Sequence, residues 1–281
     1  MLENGGMKAR FLLGSALLLA AAQGTWGCVP PGNAPKEDAG ATKQAITAPT
    51  FRPSANIMTA PFEDAFERSA NAAKKVETVS EGGAMGEASA TPEDPSGIGP
   101  DWVAVSPGVW KIENGKLCGQ NGKNHGIWLN RVLPINARIE FDAVSDNPKG
   151  GDIKAEIWGD GRSGATGASY VNATSYLTIL GGWFNTFHVL ARINEHAPDR
   201  KEIKVNAESD DERDHPAVRG QVYRFKIERA DGKTVRWFVN GVEYLNYDDP
   251  EPLRGMGHDH FGFNDWEAKI CFDNVKVTPL P

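Results

Sequence analysis

The chain has 281 residues, a formal net charge of -7 and 40% hydrophobic residues, with 31 glycines and 18 prolines. That length holds one large β domain or two small ones, and the acidic balance argues against a nucleic-acid partner. Apolar content below the globular norm, with abundant turn formers, means that a packed core is diluted by segments that do not pack.

The first 27 residues read as a targeting segment. Met7-Lys8-Ala9-Arg10 is basic, and residues 11–22 (FLLGSALLLAAA) form an apolar run of 12, short of the roughly 20 needed to span a bilayer. The run leads to Gly27-Cys28 and resembles a bacterial lipoprotein signal, in which cleavage precedes a cysteine that becomes lipidated. Thr25 stands where such signals usually carry Leu, and Trp26 is bulky. A start at Met1 or at Met7 fits equally. The expectation is a mature protein outside the cytoplasm, in a bacterial cell envelope and attached to the bilayer through Cys28 only, with simple secretion as the alternative. Residues 28–60, rich in Pro, Ala, Gly and Thr, read as a disordered tether.

Residues 61–281 read as one all-β domain. A first strand is expected over residues 62–68, followed by a low-complexity excursion at about 70–100. Beyond Asp101, short β-rich runs alternate with turn signals at a spacing of roughly ten residues, as in a sandwich or barrel. Val109-Trp110-Lys111-Ile112 and Leu117-Cys118 flank Asn114-Gly115, a hairpin signal. Strands are predicted over 125–130, 137–144, 152–158, 176–180 and 187–193. A meander follows over 221–228, 234–239 and 242–245, with turns at Asp231-Gly232 and Asn240-Gly241, and 268–277 closes the domain. Alternation is plain in residues 137–144 (ARIEFDAV), where Ile139 and Phe141 interleave with Arg138, Glu140 and Asp142.

The run WKIENGKL (residues 110–117), the long meander and the terminal ICFDNVKV (residues 270–277) resemble the concanavalin A-like jelly roll. The nearest likeness is to extracellular bacterial domains grouped with 3-keto-disaccharide hydrolases and laminin-G-like lectins, and to secreted bacterial lipoproteins without assigned activity. The resemblance implies a two-sheet jelly-roll sandwich with its last strand beside an early one. Cys118 on the early strand and Cys271 on the final one are then expected to form a disulfide, as two thiols of an oxidising compartment, with two buried free thiols as the alternative.

Glycosidases of this fold carry their carboxylates on one strand as E-x-D-x-E or E-x-D-x-x-E. Glu140-Phe141-Asp142 begins the pattern, but Val144 and Ser145 occupy the places of the acid/base, and a retaining mechanism needs two carboxyls roughly 5 Å apart. Glu140, Asp142 and Glu156 are the catalytic candidates. His258 and His260 have the same-face spacing of a strand, yet no third ligand stands near, so no metal is expected there. Asp152 and Asp160, in Gly-rich loops, suit either calcium or plain turns; no other cofactor is expected.

The polar positions Arg138, Glu140, Asp142, Lys154, Glu156, Trp158, His188, Arg192, Arg224, Lys226 and Arg236 each alternate with apolar neighbours. On one sheet they make a charged face that receives a glycan; the alternative is a solvated face of weak cross-strand ion pairs. Lys154, Trp158, Trp128, Trp183, Arg192, Glu195, His196 and Trp266 are the ligand-binding candidates, because sugars take aromatic platforms and forked polar groups. The leading expectation is a monomeric carbohydrate-binding protein. A hydrolase or lyase of the same fold, and a structural surface protein without a small ligand, are the alternatives.

Overall fold

The computed structural model describes residues 56–68 and 96–281. The targeting segment, Cys28 and most of the expected tether and low-complexity excursion lie outside the described residues. The chain already runs against the domain at Ile57, which bridges Val132, and Met58 donates its N–H to the Val132 carbonyl at 2.8 Å.

Fifteen strands carry the fold among the described residues. Five short ones come first: β1 (Phe62–Asp64), β2 (Trp102–Ala104), β3 (Trp110–Glu113), β4 (Lys116–Gly119) and β5 (Ile127–Leu129). Next are β6 (Ala137–Ser145), β7 (Ile153–Gly159), β8 (Tyr176–Gly181), a single helical turn α1 (Gly182–Asn185), β9 (Phe187–Arg192) and β10 (Lys201–Lys204). The last are β11 (Val222–Arg229), β12 (Thr234–Val239), β13 (Val242–Asp248), β14 (His260–Asn264) and β15 (Ile270–Pro279). They form two antiparallel sheets. The first runs β13-β12-β11-β6-β15-β4-β3 with β1 added against β15; the second runs β10-β9-β8-β7-β14-β5-β2. This is the expected jelly-roll sandwich, with the last strand, β15, hydrogen-bonded to the early β4.

Local chemistry explains most of the element boundaries. Asn114 and Gly115 both have positive φ, 50° and 70°, and Asn240 and Gly241 repeat the pattern at 51° and 88°. These are the turn conformations that two-residue hairpins demand. Asp231 closes the β11–β12 turn by accepting from the Lys233 and Thr234 N–H groups and the Thr234 hydroxyl. The first strand is shorter than the sequence predicts: the Asp64 carboxylate captures the Phe66 N–H and the Arg68 guanidinium, and the chain turns at Phe66 with φ 52°. His258 lies outside β14, so the two histidines do not share a strand face. His258 Nδ1 meets the Thr174 carbonyl and His260 Nδ1 meets the Asp259 carboxylate. At Asp273-Asn274 the register of β15 against β6 shifts, forming a bulge, with Asn274 at φ 52°.

The core lies between the sheets. β6 alternates buried and half-buried residues along its whole length, sending Ile139, Phe141 and Ala143 inward. Phe141 stacks on Phe225 at 4.8 Å and meets Phe263 of the opposite sheet edge-on at 5.0 Å; Phe263 in turn stacks on Phe272 at 3.8 Å. Each such ring removed from water contributes about 1.5–3 kcal/mol, and the ring pairs tie one sheet to the other.

The expected single polar face does not exist, because period-2 alternation fixes a face but not the sheet that a strand joins. Arg138, Glu140, Asp142, Arg224, Lys226 and Arg236 stand on β6, β11 and β12 in the first sheet, whereas Lys154 and Glu156 stand on β7 in the second. On the first sheet the outer face is a ladder of ion pairs, including Arg138–Glu228, Arg224–Asp142 and Arg236–Glu243.

Candidate functional site

The outer face of the second sheet is built from β7, β8, β9 and β14. Lys154 lies across from Ile179 on one side and Asn264 on the other; Glu156 lies across from Leu177 and Gly262. Half of this face is roofed by a second apolar cluster, in which Tyr170, Ala165 and Ala173 cover Leu177, Ile179, Val189 and Ala191. The uncovered half is a cleft of about 630 Å³, lined among others by Asn124, Asp152, Lys154, Trp183, Phe184, Glu195, His196, Trp266 and Glu267.

Its floor is a buried, hydrogen-bonded charge pair. The Lys154 ammonium, 3% exposed, donates to Glu195 Oε2 at 2.9 Å and to Asn124 Oδ1 at 2.7 Å. Glu195 Oε1 accepts the Tyr170 N–H at 2.9 Å. Removing one member of such a pair strands the other, at a cost of about 3–5 kcal/mol. Beside the floor, sealed under Tyr170, sits Glu156. It accepts from the Tyr170 and Ser175 hydroxyls at 2.9 and 2.7 Å and from Asn264 Nδ2 at 2.5 Å. Burial pushes its carboxyl up to about 7, the hydrogen bond from Ser175 opposing the rise. Asp265, also buried, accepts the Gly122 N–H through Oδ2 while Oδ1 has no partner, and desolvation lifts its carboxyl to about 7.

Asp152 stands apart from these. No described residue hydrogen-bonds or ion-pairs with its carboxylate, and burial raises its pKa from the ordinary carboxylate value, with Lys154 opposing. It adopts φ 60° and follows Gly150 and Gly151, both also left-handed. Across the cleft wall from this segment, Gly181, Trp183, Phe184 and Asn185 are left-handed as well, with Trp183 at φ 51° and Phe184 at φ 59°. The turn α1 is therefore a left-handed one, closed by the Thr186 N–H on the Gly182 carbonyl at 2.9 Å. Bulky residues in that conformation cost about 1–2 kcal/mol each, and such strain gathers at ligand clamps and active sites.

Of the sequence-predicted ligand-binding residues, Lys154, Trp183, Glu195, His196 and Trp266 line this cleft. Three others do not. Trp158 has φ 56° and stands at the register shift between β7 and β14, which breaks the alternation and turns its ring into the core under the Arg229 guanidinium, 3.7 Å away. Trp128 does face outward from β5, but the 160–175 loop covers it to 1% exposure and its Nε1 donates to the Ser163 carbonyl. Arg192 points toward the core side and donates to Asp249 at 2.8 Å.

The catalytic candidates also part company. Glu140 and Asp142 are on the other sheet, and Glu156 is 0% exposed. Asp152 and Asp160 flank β7 at opposite ends, with its seven residues between them, a span of roughly 20 Å or more, so they share no ion. Asp160 closes its own turn by accepting the Arg162 and Ser163 N–H groups at 3.0 and 2.8 Å. Among the described residues no cluster of three or more metal-ligating side chains occurs. Sequence reasoning missed Asn124 and Phe184, and it read Asp152 only as a calcium or turn residue; the Gly-Gly before Asp152 was the signal available.

No protein-family model and no curated protein matches the chain. Among solved structures it is similar to a carbohydrate-binding module from Bacillus subtilis, at 17% identity over 63% of this chain and 95% of that one, with a TM-score of 0.45. It is also similar to a native glycosidic hydrolase, at 10% identity over 80% of this chain and 98% of that one, TM-score 0.45. A laminarinase from a Flavobacterium species has 11% identity over 62% of this chain and 83% of that one, TM-score 0.40.

Proposed function

We propose that the protein is an extracytoplasmic carbohydrate-binding jelly roll whose ligand seat is the cleft on the second sheet. One observation carries this reading. Trp183 follows β8 and Trp266 follows β14, the two neighbours of β7, so two half-exposed indoles flank a polar floor of Lys154, Glu195 and Asn124. A sugar ring has apolar faces that pack on indoles and an equator of hydroxyls that needs donors and acceptors. A volume of about 630 Å³ suits one or a few such rings. The Cys118–Cys271 disulfide supports an oxidising compartment, and attachment through Cys28 completes the proposal; mass spectrometry of the mature N-terminus tests that attachment.

Calorimetric titration of the full chain with soluble oligosaccharides tests the binding itself. Binding that Trp266→Ala abolishes supports the reading, and a complete absence of binding across glycans of differing linkage and charge ends it.

A second reading, a hydrolase or lyase working in the same cleft, is favoured by Asp152. It lines the cleft with no described donor on its carboxyl, and burial raises that carboxyl above the ordinary carboxylate value, as in groups that transfer protons. Product formation from an oligosaccharide, lost in Asp152→Asn while binding persists, would establish it; binding without product formation leaves the lectin.

A further inference from the structure

The two left-handed segments at the cleft wall, residues 150–152 and 181–185, are packed into each other. The Asp152 N–H donates to the Gly181 carbonyl at 3.1 Å. A Cβ placed on Gly151 would lie 2.3 Å from that same carbonyl oxygen. Asn185, at the end of the second segment, accepts the Ala217 N–H and donates to the Ala217 carbonyl at 2.9 and 2.8 Å. Neither segment relaxes without displacing the other, so the Asp152 carboxylate and the Trp183 ring are held in the same cleft before any ligand arrives. Preorganisation of that kind lowers the ordering cost of binding.

The charges of the cleft are unequal in a useful way. Its two lysines are both engaged, Lys154 by Glu195 at 2.9 Å and Lys269 by Glu113 at 2.5 Å. Its carboxylates Asp146, Glu195 and Glu267 are likewise matched by Arg219, Lys154 and Lys123. Asp152 is left over, a carboxylate with no hydrogen-bond donor or ion-pair partner among the described residues, on which Lys154 acts only through space.

We infer that Asp152 and Trp183 form one preformed subsite for a sugar ring that offers the carboxylate a hydroxyl or a protonated amine, and that the cleft therefore takes neutral or amino-sugar glycans and rejects anionic ones. This deepens the carbohydrate reading and rests on it. The ring stacks on Trp183, with the exposed Phe184 extending the shelf, and its donor replaces the water around Asp152. A uronate or sulfate on Trp183 would meet that carboxylate with both lysines that line the cleft already paired; the Lys149 ammonium lies over the Phe184 ring, 4.1 Å from its centroid, and is not among the lining residues.

The test is calorimetric titration of the full chain with cellohexaose, xylohexaose and mannohexaose, a chitosan hexamer, and hexagalacturonate. At least one neutral or amino-sugar probe is expected to bind about tenfold or more tightly than hexagalacturonate, and Asp152→Asn to weaken that binding about tenfold. Asn tolerates the left-handed backbone, and Asp152→Gly serves as a second variant that removes the group altogether; unchanged thermal unfolding midpoints confirm that both fold. Trp183→Ala is expected to abolish binding and Trp183→Phe to retain most of it. Hexagalacturonate binding as tightly as the neutral probes overturns the inference alone, as does binding that both Asp152 variants leave within about twofold. Failure of every probe overturns the inference and the carbohydrate reading together.

Discussion

Cys118 on β4 and Cys271 on β15 are directly opposed partners, with Cα atoms 4.1 Å apart and a disulfide between them. The bond closes a loop with a sequence separation of 153, for which the chain-entropy relation gives a ceiling of about 5 kcal/mol. The paired Cys118→Ser and Cys271→Ser variant is expected to lose about 2–4 kcal/mol in urea unfolding, because the reduced unfolded chain is freer. Equal midpoints for the oxidised protein and the variant would contradict this.

Stability should fall as pH rises from about 4 to about 7. Glu156 and Asp265 have folded-state pKa values raised to about 7 from ordinary values of 4.5 and 3.8. Across that window the folded state therefore holds protons that the unfolded state has released. Their contribution is fully present below the unfolded values and is lost as pH climbs through about 7. In Glu156→Gln one of these protons no longer matters. Between about pH 4 and about pH 8 its unfolding free energy should gain on the wild type by on the order of 3 kcal/mol. Urea melts at a series of pH values read this directly, and parallel profiles would rule it out.

Gly151→Ala should damage the cleft more than the sandwich. The position has φ 71°, and the new methyl would press on the Gly181 carbonyl. The backbone strain alone costs about 1–3 kcal/mol, and its relief would carry Asp152 and Trp183 apart. Lowered thermal stability with loss of oligosaccharide binding is expected. Retained binding at wild-type affinity would show that the two segments are not coupled.

The outer face of the first sheet should be silent. Glu140→Gln and Asp142→Asn remove charges from a solvated ladder, where pairs contribute about 0–1 kcal/mol. Stability within about 0.5 kcal/mol of wild type and unchanged glycan binding are expected. A large effect on binding would move the ligand seat to that sheet.

How far the sequence foretold this molecule differs from residue to residue. Asn114-Gly115, Asn240-Gly241 and the alternation from Ala137 to Ser145 report their own conformations, because turn chemistry and period-2 burial are local properties. The pairing of Cys118 with Cys271 followed once the last strand was placed beside an early one. Glu140 and Glu156 look alike in sequence, and only the long-range strand order assigns them to different sheets. Trp158 was misplaced because one left-handed residue at a bulge reverses the face of its side chain, and Trp128 because a distant loop covers it. β2 and β10, with three and four residues, are too short to show a period at all.

The position of β15 between β6 and β4 has a consequence for biosynthesis. A ribosome delivers β4 and β6 long before residues 270–279, so the first sheet begins life as two separate fragments. Each exposes a bare hydrogen-bonding edge, the kind of surface that recruits neighbouring chains, and Cys118 waits with an unmatched thiol. The first sheet cannot be completed strand by strand as the chain emerges; only β15 joins its two fragments.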